Sequence, residues 1–324
     1  SASTLTLTGV NTFTGAITNS LGTLAIGGAG QLNSGSYSGA ISNAGTLRYS
    51  STADQTLSGL ISGAGSVVKD TGAASILTLS GNNTFTGGVA FNAGTIRTNG
   101  GTAFGSGGAL TFAGGVLQYG GHGTDYSARF LSTGGQIIQI DTNGNSPTFG
   151  TAIAGAGTSL TKLGTGTLTL QGASTYTGAT SVAGGTLSMT GTSSLGGGTY
   201  AGAFDIAAGA TFSHASSVNQ TLSGVLSGTG AISKNSINST LTLSGANTFN
   251  GAITILGNGG TVQVGGAGVL GGGAYSGALA INGGAGFRYS SSADQVFSGA
   301  ITGGGTLTKD TAASTLTLAG AGTN

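Results

Sequence analysis

Along most of the chain, apolar and polar residues alternate one for one over short runs: Leu-Thr-Leu-Thr at 5–8, Thr-Phe-Thr at 12–14, Thr-Leu-Arg-Tyr at 46–49 and Thr-Leu-Thr-Lys at 306–309. Such alternation marks a strand with one buried and one wet face, because successive side chains of a strand point to opposite sides. Glycine pairs such as Gly27-Gly28, Gly114-Gly115 and Gly283-Gly284 interrupt the runs. They supply the positive-φ corners that a tightly wound chain needs. The pattern predicts many short strands joined by sharp corners.

One alternating run returns through the chain. It reads LTLTGVNTFTG from Leu5, LTLSGNNTFTG from Leu77, LTLQGASTYTG from Leu168, LTLSGANTFNG from Leu241 and a truncated LTLAGAG from Leu316, at spacings of 72, 91, 73 and 75 residues. Repetition on this scale predicts a solenoid, in which each unit buries its apolar face against its neighbours. Glycine punctuation divides each long repeat into about three coils of roughly 24 residues. Stacked at about 4.8 Å, some 13 coils would span roughly 60–65 Å. The expectation is an all-β, right-handed parallel β-helix, with Leu, Ile, Val and Phe stacked inside and Thr and Ser outside. It is expected to be one continuous solenoid over 1–324, with long repeats at 5–76, 77–167, 168–240 and 241–315 and the start of another at 316–324. The right hand follows the rule for parallel crossovers.

Composition supports strands over helices and order over disorder. Sixty-nine glycines, a single proline at Pro147 and few charged residues disfavour long helices, since Gly costs about 1 kcal/mol against Ala in a helix interior. Only 5% of residues are charged, yet apolar residues make up 37% and keep their register between repeats, which a disordered chain has no reason to do.

A second alignment shows which polar residues recur. Residues 40–75 match 278–314, with Arg48, Asp54 and Lys69 returning as Arg288, Asp294 and Lys309, each 240 positions later. The third repeat places Ser213 at the Arg position, Asn219 at the Asp position and His214 where Tyr49 stands. A site that needed an ionised Arg–Asp pair would be broken there, so these residues read as part of the frame. Lys69, Lys162, Lys234 and Lys309 share one place in successive repeats. Three coils apart they would be separated by roughly 14 Å, beyond the Debye length of about 8 Å, and would act singly.

The second repeat is longer, with an insertion near 108–149. It holds His122, Asp125, Tyr126, Arg129 and Asp141, the densest group of ionisable residues in the chain. Function grafted onto a solenoid belongs on such an insertion, so these five are the candidate interaction residues. The alternative is a locally polar loop, or an extra coil with ordinary polar residues.

The unit GAGTSLTKLGTGTLTLQGASTYTG at 155–178, with similar stretches ending at Gly87 and Gly251, resembles the autotransporter-associated β-strand repeat of bacterial secreted passenger proteins. The resemblance implies a right-handed parallel β-helix displayed outside Gram-negative cells, and it brings no catalytic residues with it. The family's secretory leader and translocator barrel are not recognisable in the chain, which is therefore expected to be an excerpt from a longer array.

Several chemistries find little support. The formal net charge is +1, with only eight Lys and Arg, too few for a phosphate-binding stripe. There is no Glu, and among seven Asp only Asp125 and Asp141 offer a carboxylate pair for glycoside chemistry. His122 and His214 have no acidic neighbours in a ligand pattern, and no serial G-G-x-G-x-D motif appears, so no metal or cofactor is expected. Cys and Trp are absent and Met189 is the single Met, which suits an exported chain without requiring export. The expected role is a structural extracellular segment of a bacterial surface fibre, stalk or matrix that associates with like chains end to end or laterally. It is not expected to be an enzyme, to bind nucleic acid or to insert in a membrane. The alternative is an adhesin that meets surfaces or glycans through the insertion-bearing repeat. Behind these stand a polysaccharide-degrading β-helix enzyme and an ice-binding solenoid, the latter weakened because the repeat supplies Thr-x-Thr only on every third coil.

Overall fold

The computed structural model describes residues 3–71, 75–236, 238–257 and 259–320. The last letters of the truncated fifth copy, residues 321–324, lie outside the described residues. Among the described residues the structure is strands and corners, with four single 3₁₀ turns at Asn33–Gly35, Ser127–Arg129, Gly196–Gly198 and Gly271–Gly273 as the only helical elements. By contacts the chain divides into two compact units, Ser1–Pro147 and Thr148–Asn324, and each is a parallel β-solenoid.

In the first unit the strands Thr4–Leu7, Thr23–Gly28, Thr46–Ser51, Ser66–Asp70, Val89–Ala93 and Leu110–Tyr119 stack in parallel. Their register makes one interior ladder of Leu5, Leu24, Leu47, Val67, Val89 and Leu110. A second ladder beside it runs Leu7, Ile26, Tyr49, Lys69, Phe91 and Phe112. The second unit repeats the scheme with Leu168, Leu187, Phe212, Ile232, Ile253 and Leu279 in one ladder. Its companion is Leu170, Met189, His214, Lys234, Ile255 and Ile281. The one-for-one alternation read from the sequence produces these ladders directly. Every second residue faces in, and the parallel register places like on like.

Successive rungs are 19 to 26 residues apart, mostly fewer than the 24 expected. The count is accordingly about 15 coils, not 13.

Glycine is required where coils meet backbone to backbone. In Gly59, Gly81, Gly224, Gly245 and Gly299, a Cβ would stand 2.1–2.3 Å from the carbonyl oxygen of the glycine one coil below, a distance no side chain tolerates. The S-G or A-G step that follows the strands is thus a stacking device.

Candidate functional site

The insertion in the second repeat does not protrude. The ten-residue strand Leu110–Tyr119 pairs at its start with Val89–Ala93, in its second half with Thr95–Thr98, and on its other side with Ile137–Asp141. The extra length is therefore an additional parallel coil, whose register shifts between Ala113 and Val116. It closes over an aromatic core in which Phe91 stacks on Phe112 at 4.6 Å between ring centroids, and Phe104 meets Tyr126 at 4.8 Å.

Each candidate residue has a place in this coil. Arg129 turns back into the corner below, where its Nε donates to Gly108 O at 3.0 Å, its Nη1 to Phe104 O at 3.0 Å and Gly105 O at 3.1 Å, and its Nη2 to Gly107 O. Four carbonyls that face one another around a glycine corner repel, and a guanidinium with its forked donors satisfies them together. Tyr126 is buried at 4% exposure, with its hydroxyl donating to Gly100 O at 3.1 Å. Burial pushes its pKa up to about 12. His122 is half-buried, its Nε2 2.7 Å from Thr98 Oγ1 and its Nδ1 3.1 Å from Thr124 Oγ1, and burial lowers its pKa. Asp125 is exposed and accepts from Ser127 N at 2.8 Å and Ser127 Oγ at 2.6 Å.

Asp141 belongs to a different arrangement. On the outer face Arg97 donates to Gln118 Oε1 at 2.5 Å, and Gln118 Nε2 donates to Asp141 Oδ2 at 2.6 Å, three coils joined in one polar row. Asp125 and Asp141 thus engage separate partners, and these contacts do not place them on one substrate. Among the described residues no three His, Cys, Asp or Glu side chains gather as a metal ion would require.

The recurring polar residues turn out to be joints between coils. Asp54, Asn219 and Asp294 each accept a hydrogen bond from the backbone N–H that opens a strand of the next coil, at Ile76 (2.8 Å), Thr240 (2.8 Å) and Thr315 (2.7 Å). Carboxylate and amide oxygen serve equally, which explains why the third repeat tolerates Asn. Arg48 pairs with Asp70 on the following coil rather than with Asp54, and Arg288 pairs with Asp310 at 3.6 Å. The residue after each joint faces inward: Gln55 Oε1 accepts from Leu32 N at 2.7 Å, and its Nε2 donates to Leu32 O at 3.2 Å. Gln220 holds Leu195, and Gln295 holds Leu270, in the same two-bond manner. These glutamines were missed in the sequence, although the recurring pairs Asp54-Gln55, Asn219-Gln220 and Asp294-Gln295 carry the signal.

Tyr37, Tyr200 and Tyr275 likewise donate to the carbonyl of the last glycine of the first, third and fourth eleven-residue motifs, Gly15, Gly178 and Gly251. The lysines, expected to act singly, are buried: Lys69, Lys162 and Lys234 are 0% exposed. Lys162 shows their use, its ammonium donating to Leu163 O, Gly164 O and Gly184 O at 2.9–3.0 Å.

The outer face of the second unit carries Thr169, Ser188, Ser213, Ser233, Thr254 and Ala280 in one register row. The coils between the recurring motifs fill the row with Ser, giving a continuous uncharged strip of small residues. Residues 1–26, 74–97, 160–189 and 238–264 match the passenger-associated-transport-repeat family. No curated protein and no solved structure matches the chain.

Proposed function

We propose that the chain is a structural segment of an extracellular bacterial passenger protein, a stack of coils that sets length and stiffness in a surface fibre, stalk or matrix. The match to a passenger-associated repeat in four segments supports export to the bacterial surface or beyond. The observation that carries the structural reading is the employment of the conspicuous polar side chains. Arg129, Asp54, Gln55, Lys162 and Tyr275 all bond backbone groups of neighbouring turns. What they leave outside is a charge-poor hydroxyl surface, which lowers repulsion between like chains and favours lateral or end-to-end association. No enzymatic role is proposed.

A second reading, adhesion through the second repeat, draws on the outward row Arg97, Gln118 and Asp141 and on the exposed Asp125. Electron microscopy of the native material tests the first reading. A continuous filament, with density running through this segment at both ends, is the expected result. Discrete shafts ending in a distinct head would move the function elsewhere. Replacing Asp125 and Asp141 by Asn leaves attachment intact under the structural reading, and abolishes it without unfolding under the adhesive one.

A further inference from the structure

The corner that follows the interior ladder of the third repeat differs from its counterparts in the other repeats. In the first and fourth repeats the ladder carries Tyr49 and Tyr289, whose hydroxyls donate to Ala53 O and Ala293 O at 2.7 and 2.5 Å, and in the second Tyr119 donates to Thr124 O at 3.0 Å. His214 stands at this place in the third repeat, in register with Lys234 on the next coil and Met189 on the one before. The imidazole lacks the phenol's outer carbon and its hydroxyl, so the corner loses both volume and a hydrogen bond. His214 is 0% exposed, and neither ring nitrogen has a hydrogen-bond partner among the described residues.

The surroundings are rich in donors. Lys234, also 0% exposed, reaches among the described residues only hydroxyls, Ser236 Oγ and Ser239 Oγ, the latter at 2.9 Å. Lys69 and Lys162 by contrast donate to backbone carbonyls, and Lys69 has Asp70 and Asp54 near enough to act on its charge. No carboxylate acts on Lys234, whose pKa burial lowers to about 8. One coil back, Thr190 Oγ1 and Ser193 Oγ are buried without a partner. Ser193 belongs to the same corner, because Ser216 Oγ donates to Ser193 O at 2.7 Å and Ser239 Oγ to Ser216 O at 2.8 Å. A buried ammonium with no anionic partner is costly, and each orphaned polar group adds about 1–3 kcal/mol.

We propose that the corner formed by Thr190, Ser193, His214 and Lys234 is an internal binding site for a small monovalent anion of chloride size. The anion would accept from the ammonium, the imidazole N–H and the two hydroxyls, and would balance a buried cation that has no carboxylate or carbonyl among the described residues to answer it. A tyrosine at position 214 fills the space and removes the site.

Crystals grown in bromide provide the test, together with melting curves in bromide or chloride against gluconate at equal ionic strength. The expected result is an anomalous bromide peak within hydrogen-bond distance of Lys234 Nζ and a melting temperature raised by about 2–4 °C in halide. That rise is lost in Lys234→Met and in His214→Tyr, and the tyrosine variant serves should the Met variant fail to fold. Ordered water in place of a bromide peak, or a halide effect that persists in His214→Tyr, overturns the proposal.

Discussion

At the scale of single residues, the account turns on which polar side chains join coils. Gln220 holds both the N–H and the carbonyl of Leu195 from inside. Gln220→Leu should therefore cost about 1–3 kcal/mol in urea unfolding. Asp54→Asn should keep the joint to Ile76, since Asn219 makes it in the third repeat, and lose only the attraction of Asp54 for the buried Lys69, a destabilisation of about 1 kcal/mol. His214 supplies a pH signature. Burial, and then the nearby Lys234 charge, lower its pKa to about 4 from an ordinary 6.5. The unfolded chain thus takes up the proton first as the solution is acidified. In halide-free buffer, stability present above pH 6.5 is lost as the pH falls towards 4, by roughly 2–4 kcal/mol. Melting curves across that window should separate the wild-type chain from His214→Tyr, with the variant losing less. The framing role of Asp54 and its counterparts was legible from their recurrence, but the partners of the buried charges were not. Arg129, His122 and the lysines read as surface chemistry because charge ordinarily stays in water, and only the coil register shows which backbone carbonyls they face.

At the scale of elements, the strand alternation was legible in full because a period of two leaves a half-buried strand no other reading. The run Leu168–Leu170 and its copies became ladder rungs, as the pattern implied. The insertion was harder to read. Its polar residues suggested an interaction site, with an extra coil as the alternative, and the structure stacks Leu110–Tyr119 as a coil. Ladder position also sets energetic weight. Leu187 is fully buried between Leu168 and Phe212, whereas Leu5 on the first described strand is 62% exposed. Leu187→Ala should cost about 2–5 kcal/mol, and Leu5→Ala well under half as much, in equilibrium unfolding.

At the scale of the whole molecule, each of the two units is a parallel solenoid, an array whose stability is a sum of nearest-neighbour contacts. The central claim is the parallel register of one coil on the next, and the absence of cysteine makes it directly testable. Ser188 and Ser213 are register partners on the outer face of adjacent coils, while Thr186 is the partner of Thr211. With cysteines at 188 and 213, the Cα atoms lie within the range a disulfide spans. With cysteines at 186 and 213 they are offset by two residues, beyond about 7 Å. Under mild oxidation the first pair should cross-link rapidly and the second should not. Efficient cross-linking of 186 with 213, and none of 188 with 213, would show a different register or direction of the strands and would contradict the account.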